Sequence, residues 1–367
     1  MQARVRNIKD IMEQHFPLHL AEKWDNAGLQ IGSLNGNAAK VMVALDLDET
    51  VAQKAYEENA DMIITHHPLI FKPVKKINFD TPTGKLLRDL IKADISVYSA
   101  HTNLDAGERG LNQLLAEMLG LQNIKPLEKS WEDSLYKLVV FVPVSHVDKV
   151  RAAINDAGAG YIGKYSDCSY RVQGTGTFRP EEGTNPFIGE KGVLEEVDEF
   201  RLETVVYEHD LDQAIQAMIK AHPYEEVAYD IYSLKNQGKI YSLGRKGKLA
   251  SSLTLREYAQ EVKKCLGLES IRVVGNLDSK VRNIAVVSGA GASFIGNLQR
   301  HKVDVLVTGD VKYHEARDAE ALGIAIIDAG HQGTEEIMVN HLCELLKHEC
   351  QIRGYETQFI PVYMTPC

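Results

Sequence analysis

The sequence predicts an α/β fold: duplicated three-layer α/β halves forming one domain, interrupted by a ferredoxin-like α+β insert. Three observations predict it. Short apolar runs alternate with helical patterns in both outer thirds of the 367-residue chain, the order expected of layered α/β folds. Polar residues recur at equivalent strand ends in those two thirds. The stretch between them follows a different rhythm.

Residues 5–13 pattern as an amphipathic helix. Trp24-Asp25-Asn26-Ala27-Gly28-Leu29-Gln30-Ile31-Gly32 reads as a loop entering a strand. Residues 41–45, 62–65 and 95–99 read as strands, the first an apolar run suited to burial on both faces. Helices are expected over 49–58 and 86–92. In the last third, strands at 284–288, 303–308 and 323–328 alternate with a helix ending near Arg300 and another over 315–322. A long helix follows to about 349, with Thr334 as its N-cap.

The two thirds can be superimposed in sequence. Ala60-Asp-Met-Ile-Ile-Thr-His66-His67 matches Lys302-Val-Asp-Val-Leu-Val-Thr-Gly309-Asp310 about its Thr. The strand ending at His101 matches the one ending at His331, with one extra residue. Each of those histidines is followed four residues later by an acid, Asp105 or Glu335. This pattern predicts an internal duplication. Between the copies the order is strand 135–143, helix 146–157, strands 169–178 and 200–208, helix 211–220 and strand 227–232. That β-α-β-β-α-β order fits a ferredoxin-like unit, with Gly158, Gly160 and Gly163 marking an internal loop. The expected organisation is 1–129 as first half, 130–237 as insert and 238–367 as second half.

Composition bounds the function. Hydrophobic residues are 44% and charged residues 25%, which excludes a disordered chain. The formal net charge of −10 disfavours a nucleic-acid partner. No apolar run approaches the ~20 residues of a membrane helix, and the N-terminus lacks a signal-peptide pattern; a soluble cytoplasmic protein is expected. The five cysteines, Cys168, Cys265, Cys343, Cys350 and Cys367, include no C-x-x-C pair, so reduced thiols are expected rather than a disulfide framework.

Chemistry concentrates at strand ends, where open α/β sheets hold ligands. Thr65-His66-His67-Pro68 follows a strand, and neighbouring extended residues point to opposite sides. Two such imidazoles suit two metals better than one. Pooled with Asp105, His331 and Glu335, they make three nitrogens and two carboxylates without a thiolate. This set suits Zn, Fe, Mn or Co, and is large enough for two metals sharing a carboxylate. Glu335 is the expected bridge, in the first turn of a helix. Each residue has a plainer reading: Asp105 or Glu335 as a helix cap, His331 as a turn residue, and the His pair as surface groups. His101 is a candidate proton shuttle. Asp310 and His314 are candidates for orienting ligands or touching substrate, with an ordinary polar loop as the alternative. Gly289-Ala-Gly291-Ala-Ser293 lacks a P-loop lysine, and close backbone packing is its preferred reading.

Trp24-Asp-Asn-Ala-Gly-Leu-Gln, Thr65-His-His-Pro, Ala100-His-Thr-Asn-Leu-Asp105, Thr308-Gly-Asp and Gly330-His-Gln-Gly-Thr-Glu335 together resemble the Nif-three-like family, whose members are often labelled GTP cyclohydrolase 1 type 2 homologues. The resemblance implies a dinuclear metal site held by His66, His67, Asp105, His331 and Glu335, and a ring-shaped homohexamer. Ala221-His-Pro-Tyr-Glu-Glu226 is similar to CutA-like and PII-like folds, although no residue set there copies a nucleotide site. The expected function is a dinuclear metal-dependent hydrolase acting on a nucleotide-like small molecule, with ring opening of GTP at C8 as the reaction the label implies. Two divalent ions per chain are expected, Zn first, with Fe, Mn, Co or Mg as alternatives. The rival expectation is a non-catalytic metal-binding assembly or regulatory protein whose insert senses a ligand.

Overall fold

The computed structural model describes residues 1–365, and Cys367 lies outside them. The protein is a mixed α/β fold that divides into two compact units, residues 1–131 with 241–367, and residues 132–240.

The first unit holds two sheets. In one, Lys40–Ala44, Met62–Thr65 and Ser96–Ser99 run parallel, in register Val41↔Met62↔Ser96. Gly28–Ile31 pairs antiparallel on the outer side of Ser96–Ser99, and the late strand Gln358–Val362 pairs parallel with Lys40–Ala44. The three inner strands are continuous apolar runs because both sheet faces are covered. Val41, Val43 and Ile64 face the helices Val5–His15 and Ile337–Ile352. Met42, Ala44 and Ile63 face Glu49–Glu58 and Pro82–Lys92, the period of two that a pleated strand imposes.

In the other sheet, Lys280–Val286, Val305–Thr308 and Ala325–Asp328 run parallel, and Arg272–Val274 pairs antiparallel outside Ala325–Asp328. Arg245–Thr254 and Gln122–Pro126 complete it on the opposite edge. Leu255–Cys265 and Leu111–Met118 cover one face; Ile295–Leu298 and Tyr313–Ala321 cover the other. The sheets thus exchange edge strands: an early strand closes the second sheet and a late strand closes the first.

The second unit is built on a four-stranded antiparallel sheet. Its strands are Leu135–Pro143, Ser169–Phe178, Glu195–Tyr207 and Tyr229–Ser233, and in chain order they lie as fourth, first, third, second. Val147–Asp156 follows the first strand and Glu208–Ala221 the third. Both helices pack in one core with Leu138, Val140, Val142, Leu202 and Val206.

Two expected elements differ. Thr334 is not an N-cap, because the chain first makes a short helix, His331–Glu335, before Ile337–Ile352. The Thr334 hydroxyl instead donates back toward the His331 carbonyl (2.9 Å) and accepts from the Gly289 N–H. The expected helix ending near Arg300 is broken into a short α turn flanked by 3-10 turns.

Candidate metal centre

The first unit gathers the carboxyl ends of its parallel strands onto one cluster. His66 and His67 follow Met62–Thr65, and Asp105 sits inside the short helix Thr102–Ala106 after the third strand. His331 opens the helix His331–Glu335 and Glu335 ends it, so the two lie at i and i+4 on one face. Neither acid is the helix cap that a plainer reading allowed, and Glu335 closes a short helix rather than occupying the first turn of a long one. Glu335, Asp105 and His66 are buried, with the His66 side chain fully so.

The ring nitrogens are sorted. His66 Nδ1 bonds the Ala100 carbonyl (2.8 Å), His67 Nδ1 Asp46 (2.8 Å), His331 Nδ1 Asp310 (2.7 Å) and His101 Nδ1 Asp25 (2.8 Å). All four partners are acceptors, so Nδ1 carries the hydrogen and Nε2 is left with its lone pair. Backbone or carboxylate partners of this kind orient metal-binding imidazoles. Asp105 Oδ1 is steadied by the Ser288 hydroxyl (3.1 Å), itself bonded by Asn112 through both its hydroxyl and its N–H.

The inward-facing atoms lack ordinary partners. His66 Nε2 and Glu335 Oε2 are buried without a hydrogen bond, a state that costs about 1–3 kcal/mol per group if nothing fills it. His66 Nε2 lies 3.7 Å from Glu335 Oε1 and 3.8 Å from Asp105 Oδ1. Glu335 Oε2 lies 3.0 Å from His331 Nε2 and 3.1 Å from His67 Nε2, at ion-pair range but out of hydrogen-bond alignment. The His67 and His331 Nε2 atoms face each other at 3.3 Å. Two lone pairs at that separation repel unless a proton or a cation lies between them. Donor spacings of 3.0–3.8 Å suit atoms that share a cation at ~2.0–2.2 Å.

Electrostatics ask for the same positive charge. Burial disfavours an imidazolium at His67, yet Asp46 and Glu335 hold its pKa up at about 10. Glu335 raises His331 to about 9 against burial, with help from Asp310. Burial disfavours an imidazolium at His66 as well, yet Glu335 and Asp105 outweigh it and leave its pKa raised. Burial pushes Asp105 up, while Glu335 is held well below its usual value by His66, His331 and His67 despite burial. A divalent cation supplies in one body what protons would otherwise supply piecemeal. Gly289 keeps the space: a Cβ there would stand 2.2 Å from Glu335 Oε1 and 3.1 Å from His331 Nε2, and φ is +59°. The donor set, its orphaned atoms and this cradle fit a metal.

Two ligand-capable groups result, His66 with His67 and His101, and His67 with His331 and Glu335, their donor atoms lying within 4.8 Å of one another in each group. His101 therefore stands inside the cluster rather than beside it. Asp310 reaches the cluster through His331. His314 is exposed, edge-on to Tyr313, and none of the bonds described here involves it. Asp46, Ser288 and Asn112 were not among the expected residues. Asp46 had a readable signal, since it directly follows the apolar run 41–45 at a strand's carboxyl end; Ser288 and Asn112 had none. The Gly289–Ser293 stretch is closely packed as expected: Gly291 N–H bonds Thr308 Oγ1 (2.8 Å), and Gly289 N–H is taken by Thr334.

A model of the Duf34/NIF3 (NGG1p interacting factor 3) family matches residues 3–366. A protein of Halalkalibacterium halodurans named "GTP cyclohydrolase 1 type 2 homolog" is 45% identical over 358 residues, 98% of this chain and 96% of that protein. A Bacillus subtilis protein of the same name is 45% identical over 350 residues, 95% of this chain and 94% of the other. The crystal structure of a Bacillus cereus protein related to NIF3 superimposes with a TM-score of 0.92 at 42% identity, covering 100% of this chain and 98% of that one.

Proposed function

Because this chain belongs to the Duf34/NIF3 family, we propose that it is a dinuclear metal-dependent hydrolase-type protein acting on a nucleotide-like small molecule. Ring opening of GTP at C8 is the first reaction to test. One observation carries the reading: the two oxygens of Glu335 face different partners. Oε1 turns toward His66, which also faces Asp105; Oε2 turns toward His67 and His331. A carboxylate so divided suits a bridge. His66, Asp105 and Glu335 would hold one ion, and His67, His331 and Glu335 the other. The nitrogen and oxygen donors favour Zn, with Fe, Mn, Co or Mg as alternatives.

Two divalent cations, when bound, supply Lewis acidity and a water of lowered pKa. The chain's own residues do the rest. Asp46, Asp310 and the Ala100 carbonyl keep the hydrogen on Nδ1 of their imidazoles, so Nε2 stays a donor of electrons. Asp25 does the same for His101, which leaves His101 Nε2 to accept a proton and return it to a leaving atom. The side chain of Asp25 is fully buried, yet hydrogen bonds from His101 and Thr102 hold its pKa down to about 2, so it remains the acceptor across the neutral range. His314 has no part in this reading.

Two features of the fold support the finer architecture proposed with it. Both sheets of the first unit set three parallel strands beside one outer antiparallel strand in the same order, as duplicated halves would. The second unit's order and its two helices match a ferredoxin-like insert. The resemblance adds a ring-shaped homohexamer, whose mass light scattering of the purified protein checks.

The test is metal content per chain, measured with nucleotide turnover on the same samples. Two ions per chain, loss of both in Glu335→Ala and formate release from GTP are expected. A Glu335→Ala protein that keeps two ions overturns the bridge. Intact metals with no turnover across a nucleotide panel overturn the hydrolase and favour the non-catalytic assembly.

A further inference from the structure

Beside the cluster stand two aromatic rings that its chemistry leaves unused. Trp24 is 57% exposed and Phe71 46% exposed. Their centroids are 5.9 Å apart, and both meet His101 edge-on, at 5.8 Å for Trp24 and 6.4 Å for Phe71. Two large aromatic rings exposed side by side next to a polar cluster make a patch of the kind that marks a ligand site.

The rings are held rather than loose. Asn26 Nδ2 donates to the Ile70 carbonyl (2.5 Å), Ile70 N–H donates to Gln30 Oε1 (3.1 Å), and Gln30 Nε2 donates to the Asn26 carbonyl (2.5 Å). The first two bonds staple the Trp24 loop to the segment that carries Phe71, and the third braces the loop itself. Next door, Asp25 accepts from His101 and from both the N–H and the hydroxyl of Thr102. A platform fixed before binding loses little entropy when a ligand arrives. The exposed segment that begins at Phe71 also carries Lys72, Lys75 and Lys76. None of the three lies within 4.0 Å of a carboxylate among the described residues.

We infer that Trp24 and Phe71 form a stacking subsite for a planar heteroaromatic ring carrying an anionic tail, seated beside His101 with the tail toward the lysines of residues 72–76. Aromatic rings attract one another in offset-stacked or edge-to-face contact, and stacking of a base on a side chain is tolerant of which base it is. The lysines supply the charge that a phosphate tail requires. The inference deepens the proposed function, which it needs only for what the bound ring is presented to.

Trp131→Phe leaves Trp24 as the single tryptophan, since the chain has two. Its emission is followed in the full-length protein as GTP, ATP or inorganic triphosphate is added, with metal content measured on the same samples. GTP and ATP are expected to quench Trp24 saturably and triphosphate to leave it unchanged. Adding Phe71→Ala should weaken nucleotide binding about tenfold, the low end of a lost stack, at unchanged metal content. Lys72→Gln with Lys75→Gln should weaken ATP more than adenosine. No quenching by either nucleotide, quenching indifferent to Phe71→Ala, or a Phe71→Ala protein changed only in oligomeric mass each overturns the subsite. The two readings fail separately. Quenching that persists in a metal-free Glu335→Ala protein supports the subsite, whereas two bound ions with silent Trp24 overturn it and leave the metal centre standing.

Discussion

A single missing methyl group shapes the centre. At Gly289 the left-handed backbone and the 2.2 Å approach to Glu335 Oε1 leave no room for a Cβ. Gly289→Ala is therefore expected to displace Glu335, lower metal affinity at least tenfold and cost about 1–2 kcal/mol of stability from backbone strain alone. Metal titration and the denaturation midpoint read the two effects. A second residue-scale expectation concerns the second unit. Asp133 and Asp210 hold His209 protonated, with its pKa raised to about 9. A raised histidine stabilises the fold fully below its unfolded value near ~6.5, and that contribution disappears as pH climbs through the folded value. Stability should thus fall between about pH 6.5 and 9 more steeply in the native protein than in His209→Gln. The difference should be on the order of 1 kcal/mol, because a solvent-exposed histidine is screened.

At the scale of elements, one buried guanidinium aligns the helix that carries Asp105. Arg245, on the strand Arg245–Thr254, donates to the carbonyls of Ala106 (3.1 Å) and Gly107 (2.7 Å) at the end of Thr102–Ala106. Its other donors go to the Ser242 and Gly244 carbonyls and to Gln113. Burial lowers its pKa only to about 10, so it stays charged at neutral pH. Arg245→Met should cost about 3–5 kcal/mol by stranding several acceptors. It should also weaken metal binding, whereas Arg245→Lys should restore part of both; unfolding midpoints and metal titration decide. The elements also show what the sequence made legible. Runs such as 62–65 and the alternation of 200–207 announced themselves because burial on two faces or one leaves a period in the residues, whereas 169–178 alternates in sequence although the strand is exposed almost throughout. The helix Leu255–Cys265 went unassigned despite its capping box, Thr254 with Glu257. The edge strands Gln122–Pro126 and Gln358–Val362 were missed because half-exposed strands carry little apolar signal. At the site, the ligand-bearing types stood out at strand ends. Their supports, Ser288 and Asn112, are ordinary polar residues that only tertiary contact distinguishes.

For the whole molecule, the centre ties together residues more than two hundred positions apart in the chain. On the proposed function, a chelator should lower the melting temperature by several degrees, as loss of any ligand specific to the folded state does. Hydrogen exchange should speed up around both 62–67 and 331–335, and a change confined to one of them would argue against shared ions. The exchanged edge strands carry a different consequence, for how the protein is made. Gln358–Val362 lies beside Lys40–Ala44, so the first sheet stays one strand short until a ribosome has added roughly 300 residues more, tens of seconds at ~5–20 residues per second. Throughout that interval the nascent polypeptide displays an open parallel edge, the surface that chaperones guard, and its completion waits on a segment made roughly three hundred codons after the strand it covers.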